Sequence, residues 1–254
     1  MGHLMALQDN ISAWIRNYAE SAGMSTLVVG ISGGIDSAVV SALCARTGLN
    51  TIAVTMPIRQ RPDLHDLSMQ QGQWLAERFD NVRHEIIDVT PVFDVFEARL
   101  NQYNNLLGMA NSRSRLRMVT LYQIAQSTQG LVVGTGNKVE DFGVGFYTKY
   151  GDGGVDISPI GDCYKTQVWQ MGRELGVLQE IIDAPPTDGL WDDGRTDQDQ
   201  LGGMTYAELE SAMRMDTGEL VTDSPSMHDI LNKYRAIRAR SLHKMNPIPV
   251  YQNI

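Results

Sequence analysis

Apolar and polar positions alternate along the chain in a pattern that predicts strands and helices in turn. Four short apolar runs are typical of buried strands and span 26–32, 51–57, 84–89 and 130–137. Seven stretches with apolar residues at helical spacing predict helices over 4–21, 37–47, 63–79, 91–107, 111–127, 205–213 and 226–242. Strands that alternate with helices predict an α/β fold, with a Rossmann-like open parallel sheet and helices on both of its faces.

Two glycine-rich turns lie at the ends of predicted strands. Residues 30–37 follow the first strand, and residues 134–137 close the fourth. The carboxyl ends of parallel strands meet at one edge of a sheet, and folds of this class bind their ligands there. The sequence therefore predicts a functional site at that edge.

The composition of the 254 residues limits the partners of the protein. The net charge of -9 argues against a nucleic-acid-binding surface, because such a surface normally needs a basic stripe. The two cysteines, Cys44 and Cys163, provide no disulfide framework and indicate a reducing compartment. No apolar stretch is long enough to span a membrane, so a cytoplasmic protein with no nucleic-acid or membrane partner is expected.

The composition changes near residue 183. Residues 183–203 contain six aspartates, two prolines and four glycines, with Arg195 as the single basic residue. This composition predicts a long loop, and long loops are usually mobile lids or disordered segments. The mobile part is expected over 192–204, either as a lid that closes on a ligand or as a solvated loop.

The turn "GISGGIDS" (30–37) has the features of an anion site. The amide groups of a first helical turn point outward, and Gly33 and Gly34 let the backbone approach a phosphate closely. Asp36 would repel that phosphate unless a Mg²⁺ ion lay between them. The alternative is that Ser32 and Asp36 only cap the helix, with no ligand present.

The motif S-G-G-x-D-S resembles the signature of the ATP pyrophosphatases, the PP-loop or adenine nucleotide alpha-hydrolase-like superfamily. "NSRSRLRMVTLYQIA" (111–125), "GTGNKVEDFGVGFYTKYGDGG" (134–154) with its continuation to 168, and "PPTDGLWDDGRTDQDQLGGMTYAELE" (185–210) resemble successive blocks of the NAD synthetase family. His243 and Lys244 match the end of that family's pattern. The resemblance covers about residues 6 to 250, and it identifies 1–254 as a single NAD synthetase domain.

The resemblance implies a ligase that uses ATP, deamido-NAD and ammonia. ATP would activate the nicotinate carboxylate of deamido-NAD as an adenylate, and ammonia would convert the adenylate to the amide of NAD, releasing AMP and pyrophosphate. Neither cysteine lies in the context of an amidase nucleophile, so the expected nitrogen donor is free ammonia, or ammonia received from another polypeptide. A homodimer is also implied, with the helical stretch 91–127 as the candidate surface.

The resemblance further implies roles for individual residues. Two carboxylates match the family's magnesium ligands: Asp36 and Glu140. ATP would contact Gly30, Ile31, Ser32, Gly33, Gly34, Ile35, Asp36, Ser37, Thr135, Lys165 and Thr187. Deamido-NAD would contact Arg115, Lys149, Asp156, His243 and Lys244. The candidate catalytic residues are Asp36, Lys165, which would stabilise the leaving pyrophosphate, and Asp152, which would accept a proton from ammonia.

Some alternatives stay open at this stage. Glu140 taken alone is typical of a surface carboxylate at a helix start, and Asp152 before Gly-Gly is typical of a structural turn residue. Thr55 departs from the family pattern, which leaves the adenine-side contacts open. Another PP-loop enzyme that modifies tRNA would add basic patches or cysteine pairs, whereas a non-catalytic nucleotide-binding module would need the phosphate loop but not Glu140 or Lys165.

Overall fold

A computed structural model of the chain describes residues 2–60, 62–187 and 196–252, with side chains from residue 7 onward. Four parallel strands form one sheet in the order β3-β2-β1-β4. They are β1 Thr26–Ile31, β2 Asn50–Thr55, β3 Val82–Ile86 and β4 Gly130–Val132. The predicted open parallel sheet is confirmed.

Ten α-helices lie within these described residues. They are α1 Gly2–Ser21, α2 Ile35–Arg46, α3 Pro62–Arg78, α4 Thr90–Arg99, α5 Leu106–Ser127, α6 Lys165–Leu175, α7 Gln179–Asp183, α8 Asp197–Gln200, α9 Tyr206–Asp216 and α10 Pro225–Met245. A 3-10 turn, Asn101–Tyr103, separates α4 from α5, and a π-helix, Lys138–Val144, follows β4. None of the helices in the described part of the chain is both long and apolar enough to cross a membrane.

Successive side chains of β1 point to opposite faces of the sheet, and each face has its own apolar core. Leu27 and Val29 pack with apolar residues of α1, α2 and α6, whereas Val28 packs with Phe93 of α4 and Ala125 of α5. Because both faces are covered, the strands are continuous apolar runs rather than alternating ones. The predicted layers of helices on both faces are therefore confirmed.

A third apolar cluster holds the end of the chain against the sheet domain. Val139 and Val144 of the π-helix pack with Leu209 of α9 and Leu231 of α10. This cluster fixes the π-helix, and with it Glu140, relative to the last helices.

Several predicted boundaries are wrong. The predicted helix 91–107 ends at Arg99, and α5 begins at Leu106 because the side chain of Asn105 accepts a hydrogen bond from Gly108 N and caps it. β4 ends at Val132, and beyond it Val133 makes a bridge to Ile157. Helices α6 and α7 were not predicted. Residues 192–195 of the predicted mobile loop lie outside the described residues, and 197–200 form α8.

Candidate active site

The turn after β1 has the geometry of an anion site. Gly33 has a φ of +87°, and a Cβ at this position would lie 2.6 Å from Leu64 O, so the turn requires glycine. Gly34 is the N-cap residue of α2, and no side chain caps the helix there. Ser32 and Ser37 instead bond to each other through their hydroxyl oxygens at 3.0 Å and stabilise the turn. The first amides of α2 therefore face the cleft without a side-chain cap.

The two predicted magnesium ligands meet on the ammonium of Lys165. Lys165 Nζ lies 2.5 Å from Asp36 Oδ2 and 2.9 Å from Glu140 Oε1. The lysine side chain is 2% exposed, and Lys165 is the first residue of α6. Three residues from three different segments thus form one buried ionic cluster.

Asn137 joins the two turns directly. Its Nδ2 donates to Asp36 Oδ1 at 3.2 Å, and its Oδ1 accepts from the backbone N–H groups of Val139 and Glu140. One amide side chain therefore caps the π-helix and orients a carboxylate of the neighbouring turn. π-helical turns are frequent at functional sites, and this one places Glu140 and Asp141 together on the cleft.

Aromatic rings enclose the ionic cluster from the side of α6 and α9. Tyr206 OH donates to Glu140 Oε1 at 2.6 Å, and the Lys165 ammonium lies 5.0 Å from the centre of the Tyr206 ring. Trp169 packs edge-on against Tyr206 with a centroid distance of 5.5 Å. These rings exclude water from one side of the cluster.

The electrostatics follow from burial and from the lysine. Burial alone would lower the pKa of Lys165, but the two carboxylates outweigh it and raise the pKa, so the ammonium stays charged. Burial is also the main reason why the pKa of Asp36 is raised. Burial would raise the pKa of Glu140 as well, but Lys165 and Tyr206 bring it below its ordinary value. With both carboxylates ionised, the cluster has one net negative charge and attracts a further cation.

Asp36 and Glu140 fit a divalent cation that carries its own additional ligands. Both offer carboxylate oxygens, which Mg²⁺ prefers, and both already converge on a positive charge. Among the described residues, no three His, Cys, Asp or Glu side chains are grouped so as to hold a metal ion by themselves. Two carboxylates with phosphate oxygens and waters are a usual magnesium environment, so the donor set suits an ion that arrives with a nucleotide.

A cleft of about 870 Å³ runs from the turn after β1 to the end of α10. Nearly all the residues with predicted roles line it: 30–37, Arg115, Thr135, Glu140, Lys149, Asp152, Lys165, Thr187, His243 and Lys244. The volume is in the range of small-molecule and cofactor sites. The structure thus brings these residues, which the sequence separates widely, to one cleft.

Asp156 does not line this cleft. Its Oδ2 accepts from Val132 N at 2.8 Å and its Oδ1 accepts from Tyr122 OH at 3.0 Å. The carboxylate therefore ties the chain beyond the turn to β4 and α5. A contact of Asp156 with deamido-NAD stays a prediction, and the position of Asp156 outside the cleft does not support it.

Asp152 lines the cleft but also braces its own turn. Its Oδ1 accepts from Ser114 Oγ at 2.7 Å and from Thr148 N at 3.0 Å. The surrounding protein raises the pKa of Asp152 through burial, against the effect of these donors. The structural alternative is thus present in the geometry, and the role as proton acceptor stays a prediction.

The basic residues at the other end of the cleft form a connected surface. Arg115 Nε donates to Lys149 O at 3.2 Å, and Lys149 Nζ donates to His243 O at 3.2 Å. Lys244 Nζ donates to Tyr147 O at 2.9 Å. These bonds join α5, the segment after the π-helix and the end of α10 into one positively charged wall.

Sequence reasoning missed several residues of the site. Asn137, Trp169 and Tyr206 were given no role, although Asn137 and Tyr206 lie inside the quoted family blocks. Arg117 was left open between a substrate contact and a pair with a surface carboxylate; it lines the cleft, its Nε donates to Met56 O at 3.2 Å, and burial lowers its pKa to about 10. Thr55 is fully buried and bonds to His84 Nε2 at 2.9 Å, so it belongs to the sheet core rather than the cleft.

Comparisons with known proteins agree with this geometry. A family model described as NAD synthase matches residues 7–247. An NH(3)-dependent NAD(+) synthetase of Syntrophomonas wolfei is 35% identical over 251 residues, which cover 96% of this chain and 95% of that protein. The chain belongs to the NAD synthase family. A further family member, from Alkaliphilus metalliredigens, is 41% identical over 209 residues, which cover 80% of this chain and 83% of that protein.

Solved structures give the same fold. NMN synthetase from Francisella tularensis has a TM-score of 0.87 and 30% identity, with 99% of each chain covered. An NH3-dependent NAD synthetase of Campylobacter jejuni, in complex with a nitrate ion, has a TM-score of 0.79 and 23% identity, with 98% of this chain and 99% of that chain covered. The second likeness concerns the fold alone.

As a member of the NAD synthase family, the protein is a carbon–nitrogen ligase of the last step of NAD biosynthesis, and it uses ATP. The predictions of family, enzyme class and reaction are confirmed. The tRNA-modifying enzyme and the non-catalytic nucleotide module are therefore set aside.

Proposed function

We propose that the cleft activates a nicotinate carboxylate by transfer of AMP from ATP, and that ammonia then displaces the AMP. The observation that supports this most directly is the convergence of Asp36, Glu140 and Lys165 beside the uncapped first turn of α2. If the triphosphate of ATP bound at that turn, its innermost phosphate would lie beside the two carboxylates and the ammonium. In-line displacement at that phosphorus would release pyrophosphate and leave an acyl adenylate.

The chain's own groups account for binding and orientation. The amides of α2 and the glycines of the turn hold phosphate oxygens, and Thr135 and Thr187 line the same cleft. Lys165 supplies positive charge for the leaving pyrophosphate, where charge builds up as the bond breaks. The first turn of α2 thus binds the nucleotide, and Lys165 favours the transition state.

Magnesium is the proposed cofactor at Asp36 and Glu140. When bound, it would neutralise phosphate charge and make the phosphorus more accessible to a carboxylate nucleophile. The support for it is the pair of hard oxygen donors and the net negative charge of the cluster.

The basic wall of Arg115, Lys149, His243 and Lys244 is the proposed site for the acid substrate, deamido-NAD. Its positive charge suits both the dinucleotide phosphates and the nicotinate carboxylate. Ammonia is the proposed nitrogen donor, as the names of the curated relatives state for those proteins. An ammonium ion must lose a proton before it attacks, and Asp152 at the cleft is the proposed acceptor.

The reaction is tested by turnover. The purified chain with deamido-NAD, ATP, Mg²⁺ and an ammonium salt is expected to produce NAD, AMP and pyrophosphate in equal amounts. Glutamine in place of ammonium is expected to give no NAD. Formation of ADP and phosphate instead of AMP and pyrophosphate would contradict attack at the innermost phosphorus.

A second candidate substrate is supported by one observation. The solved structure with a TM-score of 0.87 and 30% identity is that of a protein named NMN synthetase. Amidation of nicotinate mononucleotide is therefore proposed as a second activity beside amidation of the dinucleotide. The kcat/KM values for the two acids test this proposal. A kcat/KM for the mononucleotide more than tenfold above that for the dinucleotide would make the mononucleotide the preferred substrate.

A homodimer is proposed, with its interface on α4 and α5. Large apolar side chains are exposed on these two helices, including Val95 of α4 and Leu106, Leu107 and Val119 of α5. Exposed apolar surface of this kind supports an interaction site where it is contiguous. Leu107 also lines the cleft, so a partner on this face would lie next to the substrate.

The single domain and the cytoplasmic location remain proposals. One family model spans 7–247, which supports one domain. The free, buried thiols of Cys44 and Cys163 are compatible with a reducing compartment.

A further inference from the structure

Tyr206 contacts both charged partners at the centre of the cleft, although the reaction proposed above gives it no role. Its hydroxyl lies 2.6 Å from Glu140 Oε1, and its ring centre lies 5.0 Å from Lys165 Nζ. The residue begins α9, and its ring lies perpendicular to that of Trp169. The side chain is buried, so both contacts are held in place by the surrounding core.

The hydroxyl has a single proton to donate, and the distances show where it goes. Glu140 Oε1 is 2.6 Å away, whereas Asp197 Oδ2 is 3.4 Å away. The shorter contact is a charge-assisted hydrogen bond, which is the stronger class. Tyr206 therefore donates to Glu140.

Two donors meet at the same oxygen of Glu140. Oε1 accepts from Tyr206 OH and from Lys165 Nζ. If Lys165 turns toward a phosphate, as its proposed role requires, the tyrosine hydroxyl still donates to this oxygen of the carboxylate. The ring then remains as a wall of the space that the ammonium leaves.

We propose that Tyr206 is a positioning residue, which holds Glu140 in the orientation that receives the divalent cation of the nucleotide. The inference rests on the magnesium proposal above. Residues that hydrogen-bond to metal ligands orient them, and their loss typically costs 10–100-fold in metal affinity or activity. Tyr206 acts through Glu140 and does not touch the reacting atoms.

The test compares Tyr206→Phe with Tyr234→Phe. Both tyrosines are buried in the same apolar cluster, but the Tyr234 hydroxyl contacts Gly143 O at 3.4 Å and hydrogen-bonds with Arg238, not with Glu140. Each variant loses one hydroxyl and keeps its ring, so the pair separates the contact with Glu140 from general loss of a buried hydroxyl. Isothermal titration calorimetry measures binding of a non-hydrolysable ATP analogue at a series of Mg²⁺ concentrations, and also without Mg²⁺.

For Tyr206→Phe we expect a rise of at least tenfold in the Mg²⁺ concentration that gives half of the maximal enhancement of analogue binding. Analogue binding without Mg²⁺ should stay within twofold of the wild type, and Tyr234→Phe should resemble the wild type in both measurements. The KM for Mg²⁺·ATP should rise in the same variant. In a Glu140→Gln background the hydroxyl should have little further effect on Mg²⁺ dependence, since it acts through that carboxylate.

Three results would overturn the inference. They are an unchanged Mg²⁺ dependence in Tyr206→Phe, an equal loss in Tyr234→Phe, and failure of Tyr206→Phe to fold, because the hydroxyl would then be structural. If the wild type itself shows no Mg²⁺ enhancement, the magnesium proposal fails and this inference fails with it. An intact Mg²⁺ effect in the wild type together with a normal Tyr206→Phe variant rejects the positioning role alone.

Discussion

The ammonium of Lys165 lies 2.5 Å from Oδ2 of Asp36, although 129 positions of sequence separate the two residues. The lysine occupies the space between the carboxylates that are proposed to receive the divalent cation. Two of its three ammonium protons can be donated to these carboxylates, so one donor remains for a phosphate in the cleft that Lys165 lines. A cation placed between Asp36 and Glu140 would have to displace the ammonium from that space, and the energetic consequences can be measured.

The Asp36→Asn variant tests the centre of the cleft. The amide keeps the size of the side chain but removes the charge that would bind the cation, so NAD formation should fall by about 10³-fold, the upper end of the effect of a single electrostatic group. A coupled NAD assay measures this rate. Asp9→Asn on the surface of α1 is the control and should behave as the wild type. Turnover of Asp36→Asn within tenfold of the control would reject the metal assignment.

Replacing Lys165 with Met should make stability depend on pH. Without the lysine, burial raises the pKa of Asp36 further above that of the unfolded chain, whereas at Glu140 the hydrogen bonds of Tyr206 and Asn137 still act against burial. Carboxyl groups whose pKa is raised by folding stabilise the protein below the unfolded pKa and lose that contribution as pH rises. The loss of stability should thus be small near pH 4 and reach about 3 kcal/mol at pH 8, the cost of breaking a buried ion pair.

The measurement for this variant is denaturant unfolding at both pH values. Lys138→Met is the control, because the pair of Lys138 with Asp162 at 2.9 Å lies at the surface, where such pairs contribute little. If Lys165→Met lowers the free energy of unfolding equally at pH 4 and pH 8, removal of the lysine does not destabilise the ionised carboxylates.

Gly33→Ala should abolish nucleotide binding and lower stability. The residue has a φ of +87°, and a Cβ there would lie 2.6 Å from Leu64 O, so the turn must change. Gly218→Ala is a matched control, because its φ is +80° and nothing lies within 4 Å of the added Cβ. The control should lose only about 1–2 kcal/mol from the left-handed backbone. Similar unfolding midpoints for the two variants would show that the turn after β1 can yield to a side chain.

His84 should contribute to loss of stability in mild acid. Burial lowers the pKa of His84 below its ordinary value of 6.5. The unfolded chain then binds more protons, so stability is full above pH 6.5 and falls as the pH drops toward the folded pKa. His84→Gln should reduce the fall in melting temperature between pH 7 and pH 5. The same change at the exposed His228 should leave this pH dependence as in the wild type. If the melting temperature has the same pH dependence in the wild type and in both variants, His84 is not the cause.

Leu106→Asp should break the proposed dimer. Leu106 is 78% exposed on α5, and a charge at an apolar interface is costly. Light scattering after size exclusion is expected to give a dimer for the wild type and a monomer for the variant. Val221→Asp, at an equally exposed apolar residue outside α4 and α5, should remain dimeric. A monomeric wild type would exclude the interface outright.

Sequence reasoning failed where packing overrides local preference. Helix α6 contains Gly172, a poor helix former, yet a Cβ there would lie 2.6 Å from Ile35 Cδ1, so glycine is needed for the approach to α2. The buried face of α6 also includes a lysine and this glycine, which sequence patterns do not mark as core residues: Lys165, Val168, Met171 and Gly172. Asp156 shows a similar limit, because no sequence pattern tells whether a turn carboxylate faces a cleft or a strand.

The sequence by itself determined the parallel sheet and the anion turn, because continuous apolar runs and a Gly-Gly step are local properties of the chain. Through its resemblance to a family it also determined the reaction, since the blocks preserve the chemistry of the residues. Only the tertiary structure decided that Lys165 lies between Asp36 and Glu140 under the ring of Tyr206. Such a cluster forms when separate elements pack, and the cost of burying its charges is offset only by partners that are distant in the chain.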